Sequence, residues 1–369
     1  MRILFIALGV AVAGCGGSTQ RQPPTGAWKQ LSPSSTPTPR FSVAMEYDQN
    51  RGKMVLFGGY GVDCDSVGAS LCGGTWEFDG TTWNRANPSA SPSARQLPSL
   101  AYDSDRKRIV SFGGYSNSGG CDGDSTGYCG GIWEYDGLSW APVTTVGSQP
   151  VGRIAAAFAY DASRKKMVLF GGGNGSSTCD GLSGNTCNST WEYDGSTWTK
   201  INVANPPTAR EGAAMAYDAA RRRMVLFGGA TSAGVTNNCD NSGTTYCGGT
   251  WEYDGASWSR VPAAGPAPRF TARFVYAPSW GKLVLYGGAG LQGCDGSANG
   301  NCGGTWVYDG SWLRLNTPVA PAPRAFHSMA FDTAASRIIL FGGTTTSGGN
   351  TGGCDGGASP CGGTWEMRQ

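Results

Sequence analysis

Six times along the chain, the same alternation of large and small residues returns. Counting from Arg210, the fifth and seventh positions are Met215 and Tyr217, whereas the fourth and sixth are Ala214 and Ala216. The same phase gives Met45 and Tyr47 after Arg40, and Phe158 and Tyr160 after Arg153. A period of two places the large and small sets on opposite faces of a β-strand. The next stretch, such as Lys53-Met54-Val55-Leu56-Phe57, is almost continuously apolar, as expected of a strand covered on both faces. It ends in Gly-Gly and leads through a loop to Trp-Glu-Tyr-Asp-Gly-x-x-Trp, seen whole from Trp251 to Trp258. Asp-Gly between two short apolar runs signals a hairpin. Each copy therefore predicts four strands, and six copies predict twenty-four.

The Gly-Gly pairs that register the copies begin at Gly58, Gly113, Gly171, Gly228, Gly287 and Gly342, a spacing of 55 to 59 residues. Such a period marks one supersecondary unit repeated around or along an array. Composition agrees, with 60 Gly, 20 Pro, abundant aromatics and only 15% charged residues, which favours short strands and turns over helix. The order Arg, strand, strand ending in Gly-Gly, loop, Tyr-Asp and Trp resembles the Kelch repeat. That resemblance covers about residues 26 to 369 and implies an all-β, six-bladed β-propeller with four antiparallel strands per blade. Blades start near Arg40, Arg95, Arg153, Arg210, Arg269 and Arg324. Copy five departs by carrying Ala277-Pro278 and Val307, which reads as local drift. Copy six stops at Trp365-Glu366-Met367, while Gly26-Ala27-Trp28-Lys29-Gln30-Leu31 stands orphaned before copy one. Those halves should complete one blade and leave no open sheet edge.

Cysteine usage adds a compartment. Of 13 cysteines, twelve fall in pairs once per repeat: Cys64 with Cys72, Cys121 with Cys129, Cys179 with Cys187, Cys239 with Cys247, Cys294 with Cys302, and Cys354 with Cys361. Constant phase between the second and third strands predicts six local disulfides and an oxidising compartment. Two thiolates per loop with no nearby His would not complete a zinc site. The remaining Cys15 follows Arg2, an apolar run from Ile3 to Ala13, and Gly14. Val12-Ala13-Gly14-Cys15 resembles a bacterial lipobox, which implies a signal peptide at 1–14, a lipid on Cys15 and a flexible tether at 15–25. The expected location is the cell envelope, at an outer membrane or cell surface, with the membrane contacted through the lipid alone.

Net charge of +2, with both signs interspersed, gives no nucleic-acid footprint. Strand order places the six disulfide loops and the six Arg on one face of the disc. Arg40, Arg95, Arg153, Arg210, Arg269 and Arg324 are candidates for an acidic ligand, since a guanidinium fork suits carboxylate or sulfate; the competing role is to tie each loop to a neighbouring carbonyl or carboxylate. Each disulfide loop opens Cys-Asp, at Asp65, Asp122, Asp180, Asp240, Asp295 and Asp355, where an Asp can cap its own turn. Asp122 and Asp124 alternate as calcium ligands do, without the full loop signature. Arg273 joins the candidate ligand residues, because it interrupts a face that is Ala or Ser in the other copies.

Among Kelch propellers, the copper site of galactose oxidase takes two His and two Tyr, and this chain has one His, His327. Sialidases carry a Ser-x-Asp-x-Gly-x-Thr-Trp box, whereas here Asp and Gly are adjacent. No catalytic residue stands out and no cofactor is called for. The sequence thus points to a non-catalytic binding propeller for a protein or surface glycan. A carbohydrate- or sialic-acid-acting enzyme, similar to the mutarotases on this fold, is the alternative. It would show one or two polar outliers converging in one pocket.

Overall fold

The computed structural model describes residues 26–369 apart from 118–120, 122–125, 177, 232–238, 292–293, 298–299, 346–353 and 356–358. Six sheets of four antiparallel strands each form the blades of a propeller. In the fourth blade, the strands from axis to rim are Ala214–Asp218, Arg223–Phe227, Thr250–Tyr253 and Trp258–Val261. Tyr217 lies opposite Met224, and Tyr253 lies opposite both Met224 and Trp258 in turn. The innermost strands of the other blades are Ala44–Asp48, Ser99–Asp103, Ala157–Asp161, Arg273–Ala277 and Ser328–Asp332.

The predicted two-faced strand explains how the blades interlock. Ala44 packs against Leu100 and Tyr102 of the next blade, while Met45 and Tyr47 pack against Ala330, Ile339 and Phe341 of the preceding one. Small residues thus meet large ones at most joints, which lets six sheets crowd toward one axis at native packing density. The second strand has sheet on both sides, and Met54 to Phe57 are each no more than 1% exposed.

The ring closes as its two ends suggest. Ala27–Leu31 pairs with Thr364–Arg368, Ala27 opposite Arg368 and Leu31 opposite Thr364, as the outermost strand of the sixth blade. Trp28 there donates from Nε1 to Thr305 Oγ1 of the fifth blade at 2.9 Å. The same tie recurs from Trp83, Trp140, Trp258 and Trp312 to Thr364, Thr75, Thr190 and Thr250. Ile132 takes the Thr place in the second blade, and the buried Trp198 Nε1 that should bond it has no partner among the described residues.

An ionic cluster fastens most joints near the outer turns. Arg221 donates to Asp218 at 2.8 Å and to Glu252 at 2.6 Å, lies 4.8 Å from the ring of Tyr308 in the next blade, and Tyr308 donates to Glu252 at 2.6 Å. Between the fifth and sixth blades, every counterpart is apolar: Ala277, Trp280, Val307 and Met367 pack in one hydrophobic cluster. Ala277 and Val307 are therefore not independent drift. They are members of one coordinated exchange, in which losing a single partner would leave a buried charge uncompensated but losing all of them does not.

Candidate functional site

The disulfide loops crown one face. Cys64 is bonded to Cys72, Cys121 to Cys129, Cys179 to Cys187, Cys239 to Cys247, Cys294 to Cys302 and Cys354 to Cys361, with Cα separations of 4.8–5.3 Å. In four of these loops the two sulfurs and the loop Asp gather within 4.8 Å of one another, as ligands of a metal would: Cys64, Asp65 and Cys72; Cys179, Asp180 and Cys187; Cys239, Asp240 and Cys247; Cys294, Asp295 and Cys302. Cys121 with Cys129, and Cys354 with Cys361, belong to no such group among the described residues. In all six loops the sulfurs are spent on each other, so none is a thiolate available to a metal.

Beneath each loop lies a repeat Arg, every one of the six fully buried. Arg210 donates from Nε to Thr208 O at 2.8 Å, from Nη1 to Gly228 O at 3.0 Å, and to Asp240 from Nη1 at 2.8 Å and Nη2 at 2.6 Å. Asp240 also accepts the Gly249 N–H and the Trp251 indole N–H. It thus closes the base of its loop across nine residues, rather than capping its own turn. Arg40, Arg153 and Arg269 pair likewise with Asp65, Asp180 and Asp295 at 2.8, 2.6 and 2.8 Å, and Arg324 pairs with Asp355. Burial pushes the carboxyls of Asp65, Asp180, Asp240 and Asp295 up, but the bound guanidinium outweighs it and holds them below the usual range. Arg95 donates to Ser93 O and Gly113 O, and its loop acid Asp122 lies, with Asp124, outside the described residues. An acidic ligand could reach a paired Arg only by displacing its Asp.

Two residues after each Arg the chain turns through the left-handed region, at Ser42, Leu97, Ala155, Gly212, Thr271 and Phe326, with φ between 49° and 63°. Their amides link head to tail around the axis: Ser42 to Phe326 O, Leu97 to Ser42 O, Ala155 to Leu97 O, Gly212 to Ala155 O and Thr271 to Gly212 O, at 2.7–3.3 Å. Beside this backbone ring lies a void of about 20 Å³, lined by Leu97, Ala155, Gly212, Thr271, Phe326 and Arg273 among others. The sixth link, Phe326 to Thr271, is missing among the described residues, beside Arg273 and His327. Around the ring runs an arc of half-buried aromatics, Tyr60, Phe41, Phe326, Phe270 and Tyr246, with successive centroids 5.4, 6.3, 5.5 and 5.6 Å apart.

At the opposite end the channel opens as a funnel of about 530 Å³. One aromatic per blade lines its mouth: Tyr47, Tyr102, Tyr160, Tyr217, Tyr276 and Phe331. Its wall is chiefly Ala and aromatic residues, with two charged side chains, Arg273 and Glu46. Arg273 donates from Nε to His327 O at 2.9 Å and from Nη2 to Val43 O at 3.4 Å; it has no carboxylate partner among the described residues, and its Nη1 has no partner there either. Burial draws the Arg273 pKa down to about 10, and pushes the Glu46 carboxyl up to about 7 against the one backbone N–H, of Tyr47, that favours its charged form. Glu46 was missed in the sequence, although the signal is the one that marks Arg273: its position is Ala101, Ala159, Ala216, Val275 and Ala330 elsewhere. His327 is fully buried, edge-on to Tyr286, and burial followed by Arg324 and Arg273 holds its pKa well below the usual value.

Compared with protein families, residues 107–343 match the KLHDC2/KLHL20/DRC7 Kelch-repeats domain, more than half of the chain. The chain belongs to this Kelch-repeats family. No curated protein matches it. Kelch domains generally bind proteins, and a propeller whose repeated polar groups are tied up in its own joints is consistent with a protein-binding scaffold. No helix among the described residues is long and apolar enough to cross a membrane. The proposed lipid site Cys15 and its leader fall outside those residues.

Proposed function

We propose that this Kelch propeller is a non-catalytic binding module held to the bacterial cell envelope through a lipid on Cys15, and that it recognises a protein or a surface glycan with its disulfide-closed face. The observation that carries the reading is the arc of half-buried aromatics on that face. Three aromatics of the arc, Phe41, Phe270 and Phe326, stand where other blades place Gln96, Leu97, Ile154 or Ala155, so the arc is a local departure from the repeat. Aromatic rings exposed at the centre of a polar surface supply contact area at low entropic cost, to a protein side chain or to a sugar face. Rigid loops around them suit recognition, because ordering is already accomplished before the partner arrives.

The test is retention of envelope proteins and polysaccharides by the oxidised protein, beside Phe41→Ser/Phe270→Ser and a reduced, alkylated sample. A partner held by the native form and lost from both others supports the reading. A partner held equally by all three contradicts it. Lipid attachment is tested by metabolic acyl labelling, expected in the native chain and absent from Cys15→Ser; an unlabelled native chain contradicts anchoring.

One observation favours the second reading, an enzyme acting on a carbohydrate or sialic acid: Glu46 and Arg273 are two polar outliers sharing one funnel. Turnover of free sugars by the native protein, abolished in Glu46→Gln, would carry that reading over the first.

A further inference from the structure

The funnel, on the face opposite the disulfide loops, holds a cation, Arg273, with no counterion among the described residues. Arg273 stands where the other five blades carry Ala44, Ser99, Ala157, Ala214 and Ser328, none of which contributes a charge. The innermost strands around it supply no carboxylate within ion-pair distance among the described residues, and two backbone carbonyls answer only part of its donor set. The ionic clusters elsewhere in the molecule show the contrast: Arg40, Arg153, Arg210, Arg269 and Arg324 under the disulfide loops each have their Asp, and Arg51, Arg106, Arg164 and Arg221 each have two carboxylates. Arg273 is half-buried, so its guanidinium is partly withdrawn from water without an anion, and the cost of that falls when an anion arrives with the ligand.

From this geometry we infer that the funnel is a binding site for a small organic acid, whose carboxylate is received by Arg273 at the inner end and whose body lies against the Tyr-lined mouth. About 530 Å³ is the size of a small-molecule site rather than of a peptide groove. Arg273 Nη1 remains free to donate, and a planar guanidinium is suited to the two oxygens of a carboxylate. Glu46 stands one strand period nearer the mouth, about 7 Å along the strand direction, where it can accept a hydrogen bond from a hydroxyl or amine of the ligand. The site is independent of the disulfide face: it uses the other end of the channel and none of the aromatic arc.

The substitution that tests it is unusually safe for the fold, since Ala already occupies the Arg273 position in three blades. Calorimetric titration of the oxidised protein at constant ionic strength uses acetate, lactate, benzoate and glucuronate, each beside its neutral amide. At least one acid is expected to bind one-to-one and at least tenfold more tightly than its amide. That affinity should fall at least tenfold in Arg273→Ala and be partly retained in Arg273→Lys. Phe41→Ser/Phe270→Ser should leave it unchanged, which separates this site from recognition on the opposite face. If no acid is preferred over its amide, or if the preferred acid binds Arg273→Ala as tightly as the native protein, the inference is overturned.

Discussion

The two ends of the channel are built from the same inner strands and yet behave oppositely. At the disulfide end, polar groups are abundant, repeated in every blade and consumed by one another: Arg210 and Asp240 are both buried and hydrogen-bonded on every side, and linked backbone amides run around the axis. At the funnel end, charged groups are scarce and belong to single blades, and Arg273 and Glu46 have only backbone partners among the described residues. Repetition therefore reports architecture in this molecule, while departure from repetition reports where a ligand could be met. Kelch propellers share a scaffold whose fold alone does not set function, so such departures are the informative positions.

The comparison breaks most sharply at a repeated Arg. Arg210→Ala would strand the buried Asp240 carboxylate, at a cost of about 3–5 kcal/mol in denaturant unfolding. A smaller loss, about 2–3 kcal/mol by loop-entropy reasoning, is expected for Cys239→Ser/Cys247→Ser, measured by the same titration.

Glu46 should behave in the opposite sense. Its folded pKa of about 7 lies above the ordinary 4.5, so folding disfavours its charged form: the penalty is fully present above pH 7 and fades as pH falls toward 4.5. Glu46→Gln is therefore expected to stabilise the protein by about 1–3 kcal/mol at pH 8, with little gain left at pH 4.5. A gain of equal size at both values would show that the carboxylate is not what strains the funnel. The mildest expected effect lies at a joint. Ile132→Thr should supply the missing partner of Trp198 and raise stability by about 1 kcal/mol, read as a shift in the unfolding midpoint.

Much of this was legible in the sequence because repetition averages out local ambiguity. Six registered copies fixed strand order, and the split of copy six against Ala27–Leu31 foretold how the ring closes. Cysteine phase foretold the disulfides, down to the shorter loop between Cys354 and Cys361. The pairing of each repeat Arg with its loop Asp was not legible, because the partners lie 25 to 31 residues apart and both recur in every copy. Spacing could not say whether they face a ligand or each other. Ala277, Trp280, Val307 and Met367 were obscure for a related reason: they meet only across the joint between two blades, so their joint exchange looked like separate drift. Glu46 was overlooked at a position where a strand-by-strand comparison would have shown it. The backbone ring had no sequence signal at all, since Ser, Leu, Ala, Gly, Thr and Phe share only a backbone conformation.

The most direct test of the central claim sets two arginines side by side. Unfolding free energies of Arg210→Ala and Arg273→Ala, measured in the oxidised protein at neutral pH, should separate widely: a loss of about 3–5 kcal/mol for the repeated residue, and a change of no more than about 1 kcal/mol for the solitary one. Equal losses at both positions would contradict the account, because Arg273 would then be as much a part of the scaffold as the arginines under the loops.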